Sequence, residues 1–450
     1  MRKYFGTDGI RRIANTELSP ELVYKVAKAG AYVLSKHTDH APTILIGRDT
    51  RISGSLIESA MVAGFLSYGA NVKILGVMPT PAVAYLTRRF KADASVVISA
   101  SHNTYEFNGV KYFSNKGMKI PDELEEEIEE VMDSGKIDEL TAVNDKIGVS
   151  EIRTDLLEEY VYFFRKNFEE ELENLDKENF VIAVDTANGA TSVVAEKVFE
   201  KLGIKHHIIN NNPDGININD NCGSTHLEGL KKFVVENKCS LGVAYDGDGD
   251  RCLLVDENGN EIDGDKILAV ISNYLKKKGE LKKDTVVATV MSNLGLNKYT
   301  ENNGLKLVQT KVGDRYVLEE MMKNGYNLGG EQSGHVILLD YNPTGDGILT
   351  SIMFIKTLLE ENKKASELCN IIKLYPQVLV NAKVSSDKKY DFDKDEEIKK
   401  LEEEFSGNGR VLIRTSGTEP LVRVMIEGEN QEYIKAKAEK LAKLIEKKLS

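Results

Sequence analysis

One pattern recurs along this chain: a hydrophobic strand, a turn, a helical stretch, then a glycine and a second strand. It can be read three times. The first copy is TILIGRDTRISG, a helix marked by Ile57, Met61 and Phe65, then GANVKILG from Gly69. The second is FVIAVDTANGA, a helix through Leu202, then GIKHHIIN from Gly203. The third is TVVATVMSNLG, a short helix, then GLKLVQTKVG from Gly304. Strands that alternate with helices restrict the chain to α/β domains with largely parallel sheets. The remainder reads differently. KLYPQVLVNAKV, GRVLIRTSG and PLVRVMIEG are strand-like, and Ile434, Ala438, Leu441 and Ile445 mark a closing amphipathic helix. The expected fold is three similar α/β domains with mixed, largely parallel sheets plus a smaller C-terminal α+β domain. The expected boundaries are 1–150, 151–251, 252–366 and 367–450. Leu156 to Phe164 is a strongly apolar helix, expected to pack at the first domain junction.

Each copy also supplies a strand that ends in an unusual polar loop. ASVVISA leads into Ser101-His102-Asn103, SLGVAY into DGDGDR (Asp246 to Arg251), and the segment around Asn327-Leu328 into GGEQSGH (Gly329 to His335). Ligands of open α/β sheets sit beyond the carboxyl ends of strands. Three equivalent strand ends with three polar loops therefore predict one composite site.

DGDGDR carries the sharpest chemistry. Carboxylates at alternate positions, with glycine between, can converge on one hard divalent cation, and oxygen-only ligation points to Mg²⁺ over zinc. Two rivals exist. With Asp246 as position 1, Asp248, Asp250 and Glu257 fall at 3, 5 and 12 of a calcium EF-hand loop. Against it, Arg251 stands where the sharp turn needs glycine, and the flanks are strand-like. In an aspartyl-nucleophile phosphatase, Asp246 would be the nucleophile and Asp248 the acid; the third carboxylate and Arg251 fit that scheme poorly.

The other loops gain meaning from this one. Ser101 can present its hydroxyl into a cleft, and a phosphoserine there would complete a cation site through its oxygens. His102 is either a loop histidine or a donor at the site. In RTSGTEP, Ser416 and Thr418 offer hydroxyls, Gly417 lets backbone N–H groups approach an anion, and Arg414 offers a bidentate fork. Glu331, Ser333 and His335 of GEQSGH suit hydrogen bonds to sugar hydroxyls, or form only a polar turn.

Composition narrows the setting. No run of 18 apolar residues occurs, so no membrane span is expected. The net charge of −12 argues against general affinity for nucleic acid or anionic membranes. Cys222, Cys239, Cys252 and Cys369 form no C-x-x-C pair, which leaves out a zinc or disulfide framework. No apolar core follows MRKYFGTDGIRR, so no signal peptide is expected and the protein is placed in the cytoplasm.

YFGTDGIR, SASHN, DGDGDR, GEQSGH and RTSGTEP occur here in the order found in the α-D-phosphohexomutases, and the chain resembles that family over nearly its whole length. YFGTDGIR, VGDRYV (Val312 to Val317) and the glutamine of GEQSGH resemble most closely the branch that acts on glucosamine phosphates. Mannose- and glucose-phosphate relatives usually carry methionine where Gln332 stands. One departure is Thr104, where the family's serine motif usually has proline; it touches no chemical group but is expected to loosen the loop.

The resemblance implies four domains around a central cleft, with Ser101 phosphorylated. Asp246, Asp248 and Asp250, with the phosphoserine, would hold one Mg²⁺, and Arg251 and Arg11 would lie near the phosphoserine, beside His102. Lys111 matches the family's proposed general base. Glu331, Ser333 and His335 would bind the sugar, and Arg414, Ser416, Gly417 and Thr418 the phosphate that is not reacting. The implied partners are a hexosamine phosphate and an activating hexose bisphosphate, with no nucleic acid and no membrane, in a monomer or homodimer. A phosphomannomutase or phosphoglucomutase of the same family is the alternative.

Overall fold

The computed structural model of the chain describes residues 3–6, 8–385, 392–415 and 421–449. Its first sheet contains β1 (Ile10–Ile13), β2 (Thr43–Arg48), β3 (Asn71–Val77), β4 (Ala94–Ile98), β5 (Phe107–Ser114) and β6 (Ser150–Ile152), in the order β1-β5-β4-β2-β3-β6. β2, β3, β4 and β6 run parallel, and β5 is antiparallel to both its neighbours. All five residues of β4 are buried, as expected of a central strand covered on both faces.

The second sheet has β7 (Val181–Asp185), β8 (Lys205–Ile209), β9 (Leu241–Tyr245), β10 (Cys252–Asp256) and β11 (Glu261–Ile262), ordered β11-β10-β9-β7-β8. β7 is parallel to β8 and β9, whereas β10 returns antiparallel beside β9. The third sheet has β12 (Thr285–Thr289), β13 (Lys306–Thr310), β14 (Leu328–Gly330) and β15 (Val336–Leu338), ordered β13-β12-β14-β15. A smaller antiparallel sheet, β16 (Gln377–Lys383), β17 (Gly409–Thr415) and β18 (Leu421–Gly428), completes the expected α/β and α+β plan.

The boundaries need correction. The division at 251/252 cuts the β9–β10 hairpin, whose register pairs Tyr245 with Cys252, so the second sheet extends to Ile262. By contacts the chain forms two units, residues 1–290 with 308–370, and 291–307 with 371–450. The segment 291–307, expected in the third domain, belongs to the second unit because its polar groups are tied there. Asn293 Nδ2 donates to the Tyr375 carbonyl at 2.9 Å, Arg410 Nη2 donates to the Ser292 carbonyl at 2.7 Å, and the Glu427 carboxylate accepts from Leu294 N–H.

The apolar helix expected at the first junction spans Leu157–Glu173 and packs Tyr160 and Phe163 against the ring of Tyr85. The Tyr160 hydroxyl donates to Asp346, which caps the helix Gly347–Glu361 by accepting from Leu349 N–H at 3.0 Å. Burial pushes the Asp346 carboxyl up to about 6, although its hydrogen bonds pull the other way. A carboxyl raised on folding contributes stability that is complete below its unfolded pKa and is lost as pH rises through about 6. Asp346→Asn keeps the cap and removes the titration. The variant should therefore gain about 2 kcal/mol on the parent protein between pH 4 and pH 7. Denaturant unfolding at the two pH values checks this, and an equal difference at both would contradict it.

Candidate functional site

Ser101 is 1% exposed and held at φ 52, a left-handed conformation unusual for a residue with a side chain. Its backbone is fixed from three sides. Its N–H donates to Ser99 Oγ at 2.9 Å, and Ser99 in turn donates to Asp49 Oδ2 at 2.6 Å. The Ser101 carbonyl accepts from Arg51 Nη2 at 3.0 Å and from Asn219 Nδ2 at 2.9 Å. Arg51 is itself buried, paired with Asp49 at 2.9 Å, and also donates to the carbonyls of Asn103, Thr104 and Phe107. This clamp removes the looseness expected from Thr104, because the loop is held through its carbonyls and not by a proline ring.

The Ser101 hydroxyl donates to Asp246 Oδ2 at 2.7 Å. DGDGDR is the tight connection between β9 and β10, which rules out the helix-flanked EF-hand; Glu257 instead accepts from Ser366. Gly247 is required there, since a Cβ would lie 2.6 Å from the Ser101 carbonyl oxygen. Asp246, Asp248 and Asp250 each bring a carboxylate oxygen within 4.8 Å of the others, all buried. Burial pushes the Asp246 carboxyl well up, and the charges of Asp250 and Asp248 add to the effect. Asp248 is held low, because Lys111 and the Thr80 hydroxyl outweigh the cost of its burial. Lys111 Nζ lies 2.9 Å from Asp248, 3.2 Å from Asp8 and 3.8 Å from Asp250. Burial alone would lower the Lys111 ammonium, but these carboxylates override it and hold it charged.

The three aspartates fit a divalent cation. Asp248 Oδ1 and Asp250 Oδ1 are buried without a hydrogen-bond partner. Buried, unpartnered carboxylate oxygens facing one another are costly unless a positive charge lies between them.

Arg251 Nη1 donates to His102 Nδ1 at 3.1 Å. A guanidinium can only donate, so Nδ1 accepts and the His102 proton belongs on Nε2. Burial, with Arg251 and Arg11 nearby, lowers His102 to about 4 and keeps it neutral. Arg11 donates to Asn103 Oδ1 at 2.9 Å and pairs with Asp8 at 2.9 Å, so it belongs to the serine loop.

GEQSGH is the β14–β15 connection. Gly334 has φ +90, and a Cβ would lie 2.3 Å from the Cys252 carbonyl oxygen, so this loop is seated against the start of β10, beside Arg251. Glu331 accepts from Gly313 N–H at 3.1 Å, while Ser333 Oγ and His335 Nδ1 are buried without hydrogen-bond partners. Arg414 lies on β17 of the second unit, directly across from Arg423 on β18. Ser416, Gly417 and Thr418 fall outside the described residues.

Sequence reasoning assigned no role to Asp8, Asp49, Arg51, Thr80 or Asn219. The available signal was GRDTR, two arginines and an aspartate at the end of a buried strand, and the aspartate of YFGTDGIR.

A buried serine beside three converging aspartates, with a further polar loop, at the ends of strands in three α/β sheets, fits a phosphoryl-transfer enzyme. Four family models match in order. They are phosphoglucomutase/phosphomannomutase alpha/beta/alpha domains I, II and III, over residues 2–138, 158–259 and 263–375, and the C-terminal domain over 379–444. The chain belongs to this family. It is 52% identical to a phosphoglucosamine mutase of Ruminiclostridium cellulolyticum and 54% identical to one of Clostridium acetobutylicum, each alignment covering 100% of both chains. A phosphoglucomutase/phosphomannomutase family protein of Burkholderia thailandensis shares the fold with TM-score 0.80 at 21% identity, covering 98% of each chain. The N-acetylphosphoglucosamine mutase of Aspergillus fumigatus, solved with GlcNAc-6P and magnesium, has TM-score 0.71 at 16% identity, covering 100% of this chain and 96% of its own. Among the described residues no helix is long and apolar enough to cross a membrane.

Proposed function

We propose that this enzyme interconverts glucosamine 6-phosphate and glucosamine 1-phosphate through a phosphoserine at Ser101 and a hexose bisphosphate. The observation that carries it is the Ser101 hydroxyl set 2.7 Å from Asp246, in a cluster of three carboxylates of which Asp248 and Asp250 each keep an unpartnered oxygen. The full-length relatives named phosphoglucosamine mutase support the substrate.

In each half of the cycle a sugar hydroxyl forms its bond to phosphorus as the Ser101 Oγ–phosphorus bond breaks, or the reverse. The bisphosphate turns over and returns its other phosphoryl group to Ser101. Asp246, Asp248 and Asp250 would hold Mg²⁺, which would neutralise charge on the moving phosphoryl group. The Arg51 clamp and Asn219 fix the loop so that Oγ stands in one place, and positioning supplies much of the rate. Lys111 and Arg251 bring positive charge to the transfer site. To act as the base that the resemblance implies, Lys111 must first pass its proton to a carboxylate facing it. Glu331, Ser333 and His335 are assigned the sugar. Arg414, with Ser416, Gly417 and Thr418, is assigned the phosphate at rest.

The test is kcat/KM for glucosamine, glucose and mannose 1-phosphates under one bisphosphate activator. Glucosamine 1-phosphate should lead by on the order of 30-fold, the worth of one charged contact. A lead for glucose or mannose 1-phosphate would reject the glucosamine assignment and leave the mutase chemistry standing.

A further inference from the structure

The loops assigned above read hydroxyls and phosphates, and these are common to all three sugars. The sugars differ at carbon 2, where glucosamine carries an ammonium. Resting on the glucosamine reading, we propose that Asp314 determines specificity by pairing with that ammonium. Asp314 opens the helix Asp314–Asn324 within VGDRYV. The turn Gly313-Asp314 meets the sugar loop at both ends. The preceding Gly313 N–H donates to Glu331 Oε1 at 3.1 Å, and Asp314 Oδ2 lies 3.3 Å from His335 Nε2. Carbon 2 neighbours carbon 3, so if Glu331 takes the 3-hydroxyl, the group that reads the amine must stand beside it. Asp314 has that place relative to Glu331.

The other carboxylates nearby are committed. Asp246, Asp248 and Asp250 converge on one another beside Ser101. Asp8 uses Oδ1 for Lys119 and Oδ2 for Arg11 and Lys111. Asp263 caps the helix Gly264–Lys278 with Oδ1 and takes Gln332 Nε2 on Oδ2 at 3.2 Å. Asp314 differs: Lys119 and His335 both approach Oδ2, and among the described residues none donates to Oδ1. Asp314, Lys119 and His335 line a cavity of about 330 Å³, so there is open space beside this carboxylate. An ammonium would meet a full ion pair there, whereas the 2-hydroxyl of glucose would make a single neutral-donor hydrogen bond, about half as strong.

The experiment measures kcat/KM for glucosamine 1-phosphate and glucose 1-phosphate on the full enzyme, on Asp314→Asn, and on the double variant Lys119→Met with Asp314→Asn. The ratio of the two substrates is read on one preparation, so a partly misfolded fraction cancels. Asp314→Asn should lower the glucosamine preference by about 10–30-fold. The double variant distinguishes direct pairing from repulsion by a freed Lys119, and the preference should stay lost in it. An unchanged ratio in Asp314→Asn, or a preference restored in the double variant, overturns the proposal while the substrate reading stands. A parent enzyme with no glucosamine preference overturns both.

Discussion

Ser101→Ala should abolish turnover, with kcat falling on the order of 10⁴-fold or more, the loss typical when a covalent nucleophile is deleted. Substrate binding should survive. The substitution removes one oxygen, and the clamp on the loop acts through the backbone: Ser99, Arg51 and Asn219 bind the N–H and carbonyl of residue 101, which alanine retains. The left-handed φ of 52 is the one concern for alanine, at a cost of roughly 1 kcal/mol, which these bonds offset. Intact mass gives an independent readout, because a phosphoserine adds about 80 Da. Active parent enzyme should carry it on Ser101 and the variant should carry none. Peptide mapping that finds the phosphate elsewhere, and never on Ser101, would sink the assignment.

Asp248→Asn should be nearly as damaging. Asp248 Oδ2 accepts from Thr80 at 2.6 Å and from Lys111 at 2.9 Å, while Oδ1 has no partner. The amide removes one negative charge from the cation site. It also leaves Lys111 facing a neutral group and can turn an NH₂ toward the ion. Mg²⁺ affinity should fall on the order of 100-fold and kcat by about 10²–10³-fold. In the parent enzyme a chelator should stop turnover and added Mg²⁺ should restore it. Full activity in excess chelator, or in Asp248→Asn, would remove the metal from the mechanism.

DGDGDR announced a cation site because spacing alone lets alternate carboxylates converge. Ser101 gained meaning only from the company of that loop and from the family resemblance. Arg51 illustrates what stayed hidden. Its partners are the carbonyls of residues 101, 103, 104 and 107, and backbone carbonyls leave no mark in a sequence. Asn219, from the second sheet's loops, was equally silent: it reaches Ser101 across 118 residues of chain.

The sequence by itself determined the alternation of strands and helices, the polar strand ends and the chemistry of each loop. These depend on local period and residue type, which the chain carries residue by residue. Only the tertiary structure decided where the second sheet ends, because β10 is defined by its pairing with β9. It alone tied residues 291–307, by polar contacts with residues 375, 410 and 427, into one contact unit with the C-terminal sheet. It alone gathered Asp8, Lys111 and Asp248 into one charged cluster. The physical reason is common to all three. A buried charge or backbone group must be satisfied by whatever the fold brings to it, and partners more than 100 residues away in sequence are set by packing and not by local pattern.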